Sequence, residues 1–212
     1  MKIALIGASG NIGREIARQA VQRGHQVTAV VRPGGTLPGD LAGLPTAIAA
    51  VDDAAALAQA IAGHDVLASA YGPRPGAAVE SIGAVAGALA EAARKADVRR
   101  LVVVGGAGSL EVAPGLQLVD TADFPAPYKP YALAHREALG VLRRQGDLDW
   151  TFLSPAAEIG PGPQKGHYRT QAKSLLVDAA GHSTISYADY ASAFLDEIEK
   201  PQYVRQIATA AY

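Results

Sequence analysis

A chain of 212 residues is long enough for one well-buried domain and short for two. With 19 basic residues against 20 acidic ones, its net charge of -1 gives no reason to expect nucleic acid or an anionic membrane as a partner. It has no cysteine, which excludes disulfides, thiolate metal sites, iron–sulfur clusters and a cysteine nucleophile.

Only Ile3-Ala4-Leu5-Ile6 separates Lys2 from Gly7, too short an apolar stretch for a signal peptide. No run approaches the roughly 18 apolar residues of a membrane span, so a soluble cytoplasmic protein is expected. Residues 3–6 read as a strand buried on both faces. Ile12, Ile16, Ala17, Ala20 and Val21 have helical spacing, and Gly24 stops that helix. Residues 26–31 form a second strand and residues 46–51 a third, with a Gly- and Pro-rich loop between them. Asp53 is placed to cap the next helix, which runs to about residue 62. A fourth strand over 65–70, a helix of small residues over 77–95 and a strongly apolar fifth strand over 100–104 follow. Residues 107–128, with several glycines and prolines, read as a long surface loop. A helix over 130–144 has Pro130 in its first turn, and a sixth strand covers 150–153. Further predictions are a hairpin over 174–185 around the turn 178–181, a helix from Tyr187 to about 200 capped by Ser186, and a last strand over 204–209.

Strand and helix alternate along the chain, so the expected fold is α/β, a Rossmann-like doubly wound parallel sheet. Residues 1–212 then form a single Rossmann-like domain, with 156–185 as a small C-terminal lid.

The string Gly7-Ala8-Ser9-Gly10-Asn11-Ile12-Gly13 joins the first strand to the first helix, the context in which a glycine-rich motif signals a dinucleotide. Gly7 allows a sharp turn, Gly10 clears space for the pyrophosphate, and Gly13 lets the helix sit close to the sheet. Free N–H groups and the helix dipole then face the anion. At the end of the second strand, where NAD enzymes place a carboxylate, this chain has Arg32. A guanidinium suits a 2′-phosphate, so NADP(H) is preferred and NAD(H) remains possible.

Gly7–Gly13, Arg32, Asp52, Ala70-Tyr71-Gly72, the segment from Val103 to Leu110, the segment from Leu148 to Pro155 and the segment from Ile185 to Ala191 together resemble the atypical short-chain dehydrogenase/reductases. The nearest group is the NAD(P)H-binding, NmrA-like set often labelled NADH-flavin reductases, similar in outline to flavin reductase/biliverdin reductase B. The resemblance implies that Gly7, Ser9, Gly10, Asn11 and Ile12 contact the pyrophosphate, Arg32 the adenosine phosphate and Asp52 the adenine. It places Ala70, Tyr71 and Gly72 along the ribose, Gly105 and Gly106 near the nicotinamide, and Pro155 and Ala156 beneath it.

Most short-chain dehydrogenases use Tyr-x-x-x-Lys to trade a proton with a carbonyl or alcohol. Here Tyr131 has His135 at that offset, and Ser109 lies farther upstream than the usual serine. On one helix face, Tyr131 and His135 form either a proton-donating pair over the nicotinamide or an amphipathic pair packed under a loop. The missing lysine argues against alcohol oxidation but not against flavin reduction, because a flavin takes hydride at its ring and its proton from water. Lys165, His167, Tyr168 and Arg169 cluster in the lid, where they meet an anionic substrate or form an ordinary solvated loop. Two readings follow. One is an oxidoreductase passing hydride from NADPH to a flavin, quinone or similar small planar acceptor, with Tyr131, His135 and Ser109 as candidate catalytic residues. The other is an NmrA-like redox-sensing module that binds the dinucleotide without turnover.

Overall fold

The structure, a computed structural model, describes residues 1–72, 79 and 81–212. Strands β1 (Lys2–Ile6), β2 (Gln26–Val31), β3 (Thr46–Ile48), β4 (Val66–Ser69) and β5 (Arg100–Val104) alternate with helices α1 (Asn11–Gln22), α2 (Ala54–Ile61) and α3 (Ser81–Lys95). Then come a hairpin of β6 (Glu111–Ala113) and β7 (Leu116–Gln117), α4 (Lys129–Arg143), β8 (Asp149–Pro155), β9 (Glu158–Gly160), β10 (Arg169–Ala172), β11 (Thr184–Ser186), α5 (Tyr187–Glu199) and β12 (Gln206–Ala211). Eight strands form one sheet in the order β10-β12-β8-β5-β4-β1-β2-β3. Every pairing in it is parallel except β10 with β12. This is the doubly wound α/β fold.

Side chains alternate across the sheet, as a strand's period of two requires. In β1, Ala4 and Ile6 join the core under α2, α3 and α4, while Ile3 and Leu5 join the core under α1 and α5. Leu101 and Val103 divide from Val102 and Val104 in the same way. Asp53 caps α2, its carboxylate accepting from the N–H groups of Ala55 and Ala56 at 3.0 Å. Ser186 caps α5 through the Asp189 N–H. Small residues let α3 lie against α4: a Cβ on Gly83 would come within 2.8 Å of the Glu137 carboxyl.

The structure departs from the sequence expectations in several places. Val21 faces solvent, and Gln19 is buried instead. The Gln19 side chain donates to the Ala188 carbonyl and accepts from Ser192 Oγ, docking α1 on α5. Of the helix expected over 77–95, residues 77, 78 and 80 lie outside the described residues. The third strand stops at Ile48, because a turn closed by Asp53 N–H on the Ala50 carbonyl follows it. Residues 107–128 are not simply a surface loop: the β6–β7 hairpin and short 3-10 turns fold there over Leu110 and Val119, both fully buried. The turn at 178–181 forms, but no hairpin does. β10 pairs antiparallel with β12, and β11 pairs parallel with β9. Residues 169–172 of the expected 156–185 lid therefore belong to the main sheet, since the exposed edge of β12 takes them as an eighth strand.

Candidate functional site

The order of the central sheet reverses between β1 and β4, and a groove opens above their carboxyl ends, where doubly wound sheets take ligands. Gly7 leaves β1 with φ +82°, and a Cβ on it would stand 2.4 Å from the Ala70 carbonyl oxygen. A Cβ on Gly13 would stand 2.1 Å from the Gly7 carbonyl oxygen. Both glycines are thus demanded by the protein's own packing. Gly10 is different. Its backbone is extended, at φ -83° and ψ 167°, and among the described residues a Cβ there would meet only the Gly7 oxygen, at 3.4 Å. Gly10 also caps α1 without any side-chain bond to the helix amides, and the first turn carries no carboxylate. The amides at the positive end of α1 therefore face open space over a position that packing does not require to be bare, a good fit for a pyrophosphate.

The groove has a volume of about 1090 Å³. Gly7, Ser9, Gly10, Asn11, Ile12 and Gly13 line it, as do Arg32, Asp52, Ala70, Tyr71 and Gly72. Arg32 and Asp52 are the charged residues among this lining. The Gly35 N–H closes a turn on the Arg32 carbonyl at 2.8 Å. Tyr71 shares a hydrogen bond with Ser81 Oγ at the start of α3. Ser81, Ala84, Val85 and Tyr187 also line the groove, and sequence reasoning did not find them. No local motif marks them, because helix starts far apart in the chain supply them.

A second cavity, of about 1020 Å³, lies between α4, the segment after β8 and the start of α5. Ile159 lines both cavities, so the two adjoin there. Gly106, Tyr131, His135, Pro155 and Ala156 all line the second one. Phe124, Tyr128, Ser186 and Tyr212, absent from the sequence-based set of site residues, line it too, as does Lys165 of the lid cluster. Two predicted site residues fall outside both. Gly105 is buried, and a Cβ on it would strike the Phe152 ring at 2.4 Å, so packing explains its glycine. Ser109, the candidate catalytic serine, is 2% exposed and its hydroxyl has no partner among the described residues.

No hydrogen bond among the described residues joins Tyr131, His135 and Ser109. Tyr131 is 38% exposed. His135 stands over Gly106, where a Cβ would lie 2.9 Å from its own Cβ, and its ring meets Phe152 edge-on. Its Nδ1 is buried without a partner among the described residues, and burial pushes the imidazole down to about 4. His135 is therefore neutral at physiological pH. The unfolded chain takes up a proton near the ordinary pKa of about 6.5 and the folded protein does not until about 4. Stability is thus present above that window and is lost as pH falls through it, by at most about 3 kcal/mol. Urea unfolding at pH 7 and at pH 4.5 is expected to show a smaller acid loss in His135→Gln than in the unmutated protein. Equal losses would refute the assignment.

Three residues of the lid cluster, Lys165, His167 and Arg169, meet at Tyr212. Tyr168 donates its hydroxyl to Asp196, Arg169 donates to the Val177 carbonyl, and His167 Nδ1 lies 3.3 Å from the Lys165 carbonyl. Of these four side chains only Lys165 lines the second cavity. Among the described residues, no helix is long and apolar enough to cross a membrane.

Comparison with known proteins follows the same lines. The NAD(P)H-binding family model matches residues 7–201. The uncharacterized protein YwnB of Bacillus subtilis (strain 168) is 42% identical over 207 residues, covering 96% of this chain and 94% of its own. A crystal structure of a Burkholderia pseudomallei protein provisionally named as exported is 55% identical, with TM-score 0.92 and 100% of both chains covered. That of a Streptococcus pneumoniae TIGR4 protein provisionally named an NADH-flavin reductase is 32% identical, with TM-score 0.85, covering 100% of this chain and 99% of the other. Names given to further similar structures include epimerase and short-chain dehydrogenase/reductase.

Proposed function

The chain belongs to the NAD(P)H-binding family, and on that premise we propose that it is an NADPH-dependent reductase of the atypical short-chain dehydrogenase/reductase type, passing hydride to a planar acceptor such as a flavin or a quinone. The observation that carries this reading is the adjacency of the two cavities at Ile159. One is a groove built for a dinucleotide, and the other is lined by Phe124, Tyr128 and Tyr131, rings suited to stack on a flat molecule.

In this reading the amides at the start of α1 hold the pyrophosphate, and Arg32 pairs with the 2′-phosphate. Asp52 meets the adenine, and Ala70, Tyr71 and Gly72 follow the ribose. Gly106, Pro155 and Ala156 flank the nicotinamide end. The bound dinucleotide supplies the hydride. The protein's task is to hold the two rings in contact and keep water from between them. A neutral His135 can orient an acceptor by a hydrogen bond but is a poor proton donor. The chemistry therefore suits an acceptor that takes its proton from water. A cytoplasmic site of action fits this use of NADPH.

Steady-state oxidation of NADPH is expected with at least one member of a panel of riboflavin, FMN, biliverdin and quinones. Inactivity across the whole panel, with NADPH still bound, would refute the reductase. It would favour the non-turnover, redox-sensing reading, which the neutral histidine in place of lysine supports.

A further inference from the structure

The second cavity contains a cation held in a defined position. The Lys165 ammonium lies 3.6 Å from the centroid of the Tyr212 ring, within the range of a cation–π contact. Both partners are fixed by one carboxylate. Asp189, with no exposed surface, accepts from the backbone N–H of Lys165 at 2.8 Å and of Gly166 at 2.9 Å. It also accepts from the Tyr212 hydroxyl at 2.7 Å, and that hydroxyl lies 2.9 Å from Ser186 Oγ. Asp189 is itself anchored in the first turn of α5, where its N–H donates to the Ser186 cap. Although burial alone would raise its pKa, the hydrogen bond from Tyr212 and those from the two amides hold its carboxyl below the usual range. Its oxygens are thus committed to these donors. No carboxylate of the described residues pairs with the Lys165 ammonium, although Glu158 and Asp123 lie elsewhere along the cavity wall.

A lysine normally loses about 2 kcal/mol of side-chain entropy when it is held in one place. Here its backbone and the ring beneath its head group are already fixed, so an anion reaching it recovers charge-assisted bonds at reduced entropic cost. The cavity also carries the aromatic wall of Phe124, Tyr128 and Tyr131.

We propose that Lys165, seated on Tyr212, is the specificity residue of this cavity and selects acceptors in which a planar ring carries an anionic group, a phosphate or a carboxylate. The inference rests on the reading of the second cavity as the acceptor site.

The test is direct binding, which does not depend on turnover. FMN and riboflavin differ only in the terminal phosphate. In the presence of NADP⁺, quenching of flavin fluorescence is expected to show FMN bound about tenfold more tightly, as a partly exposed charge-assisted contact predicts. Lys165→Met, which keeps packing on Tyr212, is expected to bring the two affinities within about twofold, and Lys165→Glu to reverse their order. The same comparison between 2-naphthoate and 2-naphthamide reads the carboxylate arm, and it reads the charge without the flavin ring. Failure of flavins as acceptors is thereby distinguished from failure of Lys165 as an anion anchor. A thermal melt unchanged in Lys165→Met confirms that the fold is intact. Equal affinity for the charged and neutral members of both pairs in the unmutated protein, or a preference that survives Lys165→Met, overturns the proposal.

Discussion

Gly10→Ala is expected to leave the fold nearly unchanged while weakening dinucleotide binding at least about tenfold, whereas Gly13→Ala is expected to destabilise the protein by about 3 kcal/mol or more. The contrast comes from what each added methyl group meets. At Gly13 it would lie 2.1 Å from a backbone oxygen of Gly7, which has no side-chain freedom with which to yield. Helix α1 would have to lift from β1, disturbing Ile16, Ala17 and Ala20, all fully buried beneath it. At Gly10 the backbone is already in a region open to alanine, and the only neighbour among the described residues is at 3.4 Å. Losing glycine at a helix N-cap costs about 1 kcal/mol at most. The methyl group projects instead into the space where the pyrophosphate would approach the amides. Urea unfolding and titration of NADPH fluorescence on both variants separate the two effects. Normal NADPH affinity in a folded Gly10→Ala would mean that no pyrophosphate sits over that residue.

This difference between neighbouring glycines also shows how far the sequence could be read. The Gly7–Gly13 turn was legible because everything it needs is local: a buried strand, a turn and the start of a helix within a dozen or so residues. The strands were legible for the same reason, since β1, β4 and β5 are short apolar runs that only a two-sided sheet can bury. What stayed hidden depends on distant partners. Leu110 and Val119 gave no periodic signal, so a folded cap over 107–128 read as a loop. The edge of β12 recruits residues 169–172, and nothing in Arg169–Ala172 itself announces a strand. The second cavity draws on α4, the segment after β8, the start of α5 and Tyr212. Lys165 was visible only as one member of a polar cluster. Asp189 sets it apart, through two backbone N–H bonds from more than twenty residues away.

Arg32→Asp is expected to weaken NADPH binding about 100-fold and to reverse the preference, so that NADH binds more tightly. Arg32 directly follows β2 in the dinucleotide groove, exposed and without a side-chain partner among the described residues. The turn to Gly35 helps to position it: a Cβ on Gly35 would lie 3.1 Å from Arg32 Cγ, so glycine leaves room for the side chain against the turn. A guanidinium pairing with a phosphate dianion contributes about 1.5–3 kcal/mol, less where solvent reaches it. An aspartate in its place removes that attraction, adds repulsion to the 2′-phosphate, and offers an acceptor to the ribose hydroxyls of NAD(H). Asp52, the other charged residue in the groove, is present in both variants and does not account for the change. Fluorescence titration with NADPH and NADH at low and high salt checks both parts. Salt should weaken NADPH binding by the unmutated protein more than binding by the variant, because screening acts on the Arg32 contact. An unchanged ratio of the two affinities in Arg32→Asp would assign the 2′-phosphate no role in recognition at this position, and the NADP(H) preference would fall with it.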